Sequence, residues 1–407
     1  MPGSHQLVIP AAEVSFHPHS FGDPDGRLFR WQGKLYRGIR AEKSAFYSQL
    51  FHDGVIQRLV DRGLFVKSEV TDLAMDDYPL VIHHQTIPFP SYPNEWCPEM
   101  FQDAVLAALD LALELARDNL TLKDHHLWNL VFDGRHPVYV DLTSIVPIID
   151  ERRWPNYEKF CRSCFYPLLV MASGYDRIAR HLLPDYEGVQ QAEVTALTSE
   201  APRSIRKLLG YRPRNSSSLT DYLKELRDLV GKIEWPASTG QTEIQPDSLE
   251  TLLRDLRPRS VLDIASPGGS GAKLAARAEI PSVYFESDSA CVTRVYREAR
   301  GNPRILPLVM DFTKPTPSIG FGSHYSMAAS ERFQCEMVLA YDLIHQLMFE
   351  RYLNCEQIAE GLAAFTTRWA VVEFTARVPV DELREALRRR FNRVEVMANT
   401  SVLVCEK

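Results

Sequence analysis

The chain has 407 residues, with 46 basic and 53 acidic side chains and a net charge of −7. Hydrophobic residues make up 45% and charged residues 24%, which excludes wholesale disorder and collagen-like repetition. The acidic balance argues against duplex-DNA binding, which calls for a basic face, and the length suits two or three domains with cores of their own.

The longest apolar run, inside Val105–Leu115, is broken by Asp110 and Glu114 and falls short of the roughly 20 apolar residues of a membrane helix. Met1–Pro10 lacks the basic segment and apolar core of a secretory signal. Seven scattered cysteines suit reduced thiols, so the expected setting is the cytoplasm.

In chain order, Lys34–Ile39 reads as a strand, and Pro79–Ile87 as a strand entering a hinge at Pro88–Pro93. A long apolar helix is expected over Glu99–Asn119, followed by two short strands, the second over Val138–Asp141. Residues 155–234 read as mostly helical, with Ser204–Leu209 and Leu219–Leu229 the clearest segments. Trp235–Asp247 has the Pro, Gly, Ser and Thr content of a linker. From 248 onward helices and strands alternate. Strands are expected at Ser260–Ile264, Ser282–Phe285, Ile305–Met310, Met337–Ala340, Ala370–Phe374, Arg393–Met397 and Val402–Cys405. The helices between them fall at Ser248–Leu256, Ala272–Ala278, Ser289–Arg300, Cys355–Phe365 and Val380–Phe391. Such alternation predicts an α/β fold, a doubly wound parallel sheet with an antiparallel edge at its end.

Two groups of residues carry chemistry. In the N-terminal part, Asp124 and Asn129 lie close in sequence, and Asp141 follows twelve residues after Asn129 at a strand end. Phosphoryl transfer needs a carboxylate to accept the hydroxyl proton, and an amide and a second carboxylate to hold magnesium. The stretch Leu122–Phe132 with Val138–Asp141 resembles the catalytic loop and metal-binding Asp of protein kinases and aminoglycoside phosphotransferases. That resemblance implies an α+β kinase-like domain over 1–154, extended helically over 155–234, with Asp124 as base and Asn129 and Asp141 as metal ligands for ATP and magnesium. The chain departs from it in several places. Leu122 replaces a histidine, Asp141-Leu142-Thr143 replaces Asp-Phe-Gly, no glycine-rich loop precedes residue 60, and the phosphate-pairing cation is Lys34 or Arg37. Active kinase and inactive kinase-like module both stay open.

In the C-terminal part, Asp263, Glu286 and Asp311 fall at the ends of three strands, where open α/β sheets bind ligands. Small residues after Asp263 let backbone approach a ligand, and the following helix offers N–H groups. With the segment Val338–Leu347, this constellation resembles the class I S-adenosylmethionine-dependent methyltransferases over 248–407. By that resemblance Asp263, Ala265, Ser266, Gly268 and Gly269 form the cofactor loop, Glu286 binds the ribose, and Asp311 and Phe312 flank the adenine. Tyr341 would line the cofactor site, and Glu373 is a further pocket candidate. The usual D-x-G-x-G-x-G is altered here, with Ala265 and Pro267 in glycine positions; Pro267 fixes φ and removes a donor. His345 is either a base near the transferred methyl or a packed side chain, and Asp342 either a pocket residue or a helix cap.

Together the halves resemble a bacterial group in which a kinase-like module precedes a methyltransferase. The expected function is methyl transfer from S-adenosylmethionine to an oxygen or nitrogen of a small metabolite, sugar or natural-product intermediate, presented by the N-terminal module. Its rivals are an ATP- and magnesium-dependent phosphotransferase, alone or combined with methyl transfer, and a non-catalytic scaffold. The pairs His83-His84 and His125-His126, the Cys161/Cys164 pair and the arginines Arg384, Arg388–Arg390 and Arg393 read as core or solvated-surface features.

Overall fold

Val261–Ile264, Ser282–Glu286, Ile305–Val309 and Cys335–Ala340 are buried almost end to end, the pattern of parallel strands covered by helices on both faces. The computed structural model describes residues 7–20, 22–134, 136–149, 154, 156–185, 187–209, 218–235, 247–299 and 302–407. In it these strands join Thr366–Glu373, Val402–Glu406 and Arg393–Val396 in one seven-stranded sheet. Its strand order, numbered along the chain, is 3-2-1-4-5-7-6. All neighbours run parallel except Val402–Glu406, which is antiparallel to the strand on either side of it. Chain direction reverses across the sheet between Val261–Ile264 and Cys335–Ala340, opening a crevice at their carboxyl ends.

The helices start where side chains can satisfy their first N–H groups. Asp288 accepts from the Ala290 N–H at 2.8 Å to begin Ser289–Glu298, and Asn354 with Gln357 boxes the start of Cys355–Phe365. A short helix, Ile344–Phe349, interrupts the segment after the fourth strand. On the penultimate helix, Arg384, Arg389 and Arg390 pair with Asp381, Glu356 and Glu385, and Glu360, as a solvated helix face does.

The N-terminal part holds a five-stranded antiparallel sheet, Ser15–Phe16, Gly26–Trp31, Lys34–Ile39, Leu80–His84 and Ser68–Val70 in spatial order. Two helices, Ala41–His52 and Val55–Asp61, intervene where the sequence reading placed only strands. Below the sheet runs Pro98–Ala116, which packs against Leu219–Gly231. Two small antiparallel pairs follow, Leu120–Leu122 with Ile145–Pro147 and Leu130–Asp133 with His136–Tyr139. Residues 156–209 are largely helical, with a π-turn at Cys161–Phe165 that carries the cysteine pair. All seven cysteines are buried, and none of them is in a disulfide. The expected linker lies mostly outside the described residues; at its start, Trp235 donates its ring N–H to Gln102.

The two parts share a core. Phe132 meets Tyr296 edge to face at 6.3 Å, the Tyr296 hydroxyl donates to Asp103 at 2.6 Å, and Arg297 Nε donates to Glu99 at 2.7 Å. Deeper still, Arg332 makes a two-pronged pair with Glu95 in which both side chains are wholly buried. The same guanidinium lies 4.1 Å over the Tyr92 ring and donates to the carbonyls of Pro90 and Met327.

Candidate functional site

A cavity of about 430 Å³ opens at the carboxyl ends of the parallel strands, where chain direction reverses. Ala265 and Pro267 form one wall, Glu286 and Asp288 the next, Met310, Asp311 and Phe312 a third, and Asp342, Gln346, Leu347 and Arg351 the fourth. Each group is placed by a strand end. Glu286 closes the second strand, and its Oε1 accepts from the Asp288 N–H at 2.9 Å and the Ser287 hydroxyl at 3.2 Å. Asp311 follows the third strand and accepts from the Thr313 N–H and hydroxyl at 2.8 and 2.7 Å, with Arg351 Nη2 at 3.7 Å. Phe312 leans on helix Cys355–Phe365 at Gly361, where a Cβ would come within 3.0 Å of the ring.

Four carboxylates and one guanidinium face this space, so the cavity carries net negative potential and favours a cationic ligand. Three of those carboxylates are committed to neighbours. Of the four cavity carboxylates, Asp342 is the one whose oxygens have no hydrogen-bond partner among the described residues; its backbone N–H is tied to Glu373 Oε2 at 3.0 Å and its φ is +54°. A left-handed aspartate costs roughly 1–2 kcal/mol, and such residues cluster at functional sites. Asp342 lines the cavity, and Leu343 rather than Asp342 holds the cap position of the next helix.

The glycine-poor loop reaches its shape by another route. Ala265, Gly268 and Gly269 all take positive φ, at 55°, 66° and 68°, and Pro267 opens a single 3₁₀ turn. Asp263 does not touch the cavity. Wholly buried, it accepts from the Ser266 hydroxyl at 2.6 Å and from the Ala272 N–H at 2.7 Å, and burial raises its pKa to about 6. Ser266 Oγ in turn accepts from the Gly271 N–H at 3.1 Å. The helix N–H groups expected to face a ligand are therefore taken up inside the loop. Asp263, Ser266, Gly268 and Gly269 shape the cavity from beneath, whereas Ala265 and Pro267 line it.

Two expectations are corrected. Tyr341 is buried on the opposite face of the sheet, against Leu249, Met337 and Val371, because strand alternation sends it away from the cavity. His345 sits on Ile344–Phe349 with its ring 4.9 Å from Phe349, outside the cavity lining; one helical step turns Gln346 inward instead. Glu373 contributes through its bond to Asp342 rather than as a lining residue. Sequence reading missed Asp288, Gln346, Leu347 and Arg351; the last three became visible only once Ile344–Phe349 proved helical.

In the N-terminal part the structure brings Asn129 and Asp141 together, with Nδ2 3.4 Å from Oδ2, and seats Asn129 on the Tyr139 hydroxyl at 3.2 Å. Asp124 is tied to the same Tyr139 hydroxyl, which donates to its carbonyl at 3.3 Å, and its carboxylate pairs with Lys159 Nζ at 3.4 Å. Of the two candidate cations, Lys34 is exposed at a hairpin end, whereas Arg37 is buried and reaches Asp141 Oδ1 at 3.3 Å. Among the described residues no group of three or more His, Cys, Asp or Glu is disposed to hold a metal. His84 and His125 are core side chains, the first bonded to Ser68 at 2.7 Å and the second edge-on to Trp154.

No family profile matches the chain. It is 24% identical over 421 residues to nodulation protein NoeA of Rhizobium meliloti (strain 1021), spanning 91% of this chain and 87% of that protein. Solved structures similar to part of it include magnesium protoporphyrin IX methyltransferase (ChlM) from Synechocystis PCC 6803 with bound SAM, at 15% identity and TM-score 0.28, over 39% of this chain and 76% of that one. Another is the bifunctional kinase-methyltransferase WbdD, at 13% identity and TM-score 0.28, over 39% of this chain and 37% of that one. Among the described residues no helix is long and apolar enough to cross a membrane.

Proposed function

We propose that residues 248–407 form an S-adenosylmethionine-dependent methyltransferase acting on an oxygen or nitrogen of a small molecule. In this reading residues 1–154 are a kinase-like module, with 155–234 as its helical extension, that helps to bind the acceptor. The observation that carries the reading is the acid-rich cavity at the strand ends, with Glu286 after the second strand and Asp311-Phe312 after the third.

The residues fit the cofactor. Glu286 presents a carboxylate to a ribose diol, and Met310, Phe312 and Leu347 offer apolar surface to a flat base. The surplus of carboxylates suits a sulfonium cation. S-adenosylmethionine, when bound, supplies an electrophilic methyl group. The chain's own work is positioning and the exclusion of water, together with removal of the acceptor's proton. Asp342, whose oxygens are uncommitted at the cavity wall, takes that proton role in place of His345.

Calorimetric titration with S-adenosylmethionine tests the reading. The wild-type protein binds, Glu286→Ala weakens binding on the order of a hundredfold by removing charge-assisted hydrogen bonds, and Asp342→Asn leaves affinity near wild type. A folded wild-type protein with no affinity for the cofactor overturns it.

A further inference from the structure

A cluster of charged side chains in the N-terminal part stands outside that chemistry, and its charges are already matched within the chain. Arg37, 4% exposed, places Nη1 2.8 Å from Asp23 Oδ2 and Nη2 3.3 Å from Asp141 Oδ1. The Thr143 hydroxyl accepts from Arg37 at 2.7 Å and sits between the same two carboxylates, 2.8 Å from Asp141 Oδ1. Lys123 Nζ lies 3.3 Å from Asp25 Oδ2 and 3.8 Å from Asp23 Oδ1, and Lys43 Nζ lies 3.9 Å from Asp25 Oδ1.

Magnesium with a nucleotide does not fit this arrangement. A magnesium site needs carboxylate oxygens free to enter an octahedral shell, and phosphates need free cationic donors. Here the guanidinium is the cation on Asp141, and Asp23 and Asp25 are the anions on Arg37 and Lys123. A polyphosphate approaching these cations would lie beside two carboxylates in a half-buried site, where like charges repel strongly. The acidic segment is preset for this place. Pro24 fixes the backbone between the two aspartates, and the Asp25 N–H donates to Asp23 Oδ1 at 3.0 Å in a local turn.

We propose that this cluster is a self-masked anion site, in which Asp23 and Asp25 hold Arg37 and Lys123 in the way the phosphates of a ligand would. The module is thereby closed to magnesium–ATP, and it takes a phosphorylated ligand only when Asp23 and Asp25 leave their cations. This inference does not depend on the methyltransferase reading.

The full chain is titrated with magnesium–ATP and, separately, with inorganic tripolyphosphate, as wild type and as the Asp23→Asn/Asp25→Asn pair. These substitutions keep side-chain shape while replacing one acceptor oxygen of each carboxylate by a donor, and circular dichroism verifies folding. An Asp23→Ala single variant serves if the pair is unstable. The expected result is no measurable binding of either probe to wild type, and a gain on the order of a hundredfold in tripolyphosphate affinity on unmasking. Preference of the unmasked protein for ATP over tripolyphosphate would assign the ligand a nucleoside; equal affinity would assign it phosphate alone, and both support the proposal. Wild-type binding of magnesium–ATP that Asp141→Asn removes overturns it. So does a folded, unmasked protein that binds neither probe.

Discussion

A Cβ built on Gly271 would lie 2.8 Å from Leu339 Cδ1 and 2.9 Å from Asp263 Oδ2, so the helix that begins there approaches the first and fourth strands as closely as the backbone permits. Its φ is not unusual; the constraint is space alone. Leu339 is fixed within the sheet and Asp263 is held by its bonds to Ser266 and Ala272, so neither has room to retreat. Gly271→Ala is therefore expected to cost roughly 1–3 kcal/mol, the usual range for overpacking, and to displace the loop that lines the cavity. A urea titration reads the first effect and cofactor calorimetry the second. Unchanged stability with unchanged affinity would show that the helix slides away freely. The sequence reading counts this glycine only as the end of the small-residue turn Ala265–Gly271, past the last glycine of the motif, and its importance lies in the distance between a helix and two strands, which spacing along a chain does not encode.

Among the elements, the C-terminal half was legible for a physical reason. Parallel strands covered on both faces are apolar throughout, and the helices between them are amphipathic, two of them with capping residues at their starts, so many boundaries carry a signal. Ala41–His52 carried none, because its apolar positions do not gather on one face and polar residues are spread along it. Ile344–Phe349, at under two turns, was too short to show a period, and the roles given to His345 and Gln346 depended on that period. The contact between the halves was invisible for a different reason. Glu95 and Arg332 are separated by 237 residues and look like ordinary surface charges in sequence, yet they form a fully buried pair that joins the hinge to the helix before the fourth strand. Removing one partner leaves an uncompensated buried charge. Arg332→Ala is expected to cost about 3–5 kcal/mol, while replacing both with apolar residues, Glu95→Leu with Arg332→Met, recovers most of it. Equal losses in the single and double variants, measured by urea denaturation, would show that geometry rather than charge burial holds the junction.

Across the whole molecule, buried titratable groups set how stability answers to acid. His84 and His125 are buried, and desolvation lowers each pKa from 6.5 to about 3. The unfolded chain binds protons at these positions below about pH 6.5, whereas the folded chain does not until about pH 3. Their contribution is thus fully present above the unfolded value and is lost as pH falls through that window. At pH 5 the loss is about 2 kcal/mol for each histidine, taking 1.36 kcal/mol per pKa unit. Asp263 acts in the opposite sense. Its folded pKa is raised to about 6, so the penalty of its buried charge shrinks as pH drops from 7 towards 5, returning roughly 1–2 kcal/mol. The histidines outweigh it, and the protein is expected to be measurably less stable at pH 5 than at pH 7. Both histidines lie in the N-terminal part and Asp263 in the other, but the shared core through Phe132, Tyr296 and the Glu95–Arg332 pair couples the two parts in unfolding. His84→Asn, which keeps a hydrogen-bond partner for Ser68, combined with His125→Phe, which keeps the ring against Trp154, removes both proton sinks. Urea midpoints at the two pH values then separate the contributions. The double variant is expected to lose most of the acid sensitivity and to keep the part that belongs to His17 and His126, whose pKa values burial also lowers, and an undiminished loss at pH 5 would move the acid-sensitive groups elsewhere in the chain.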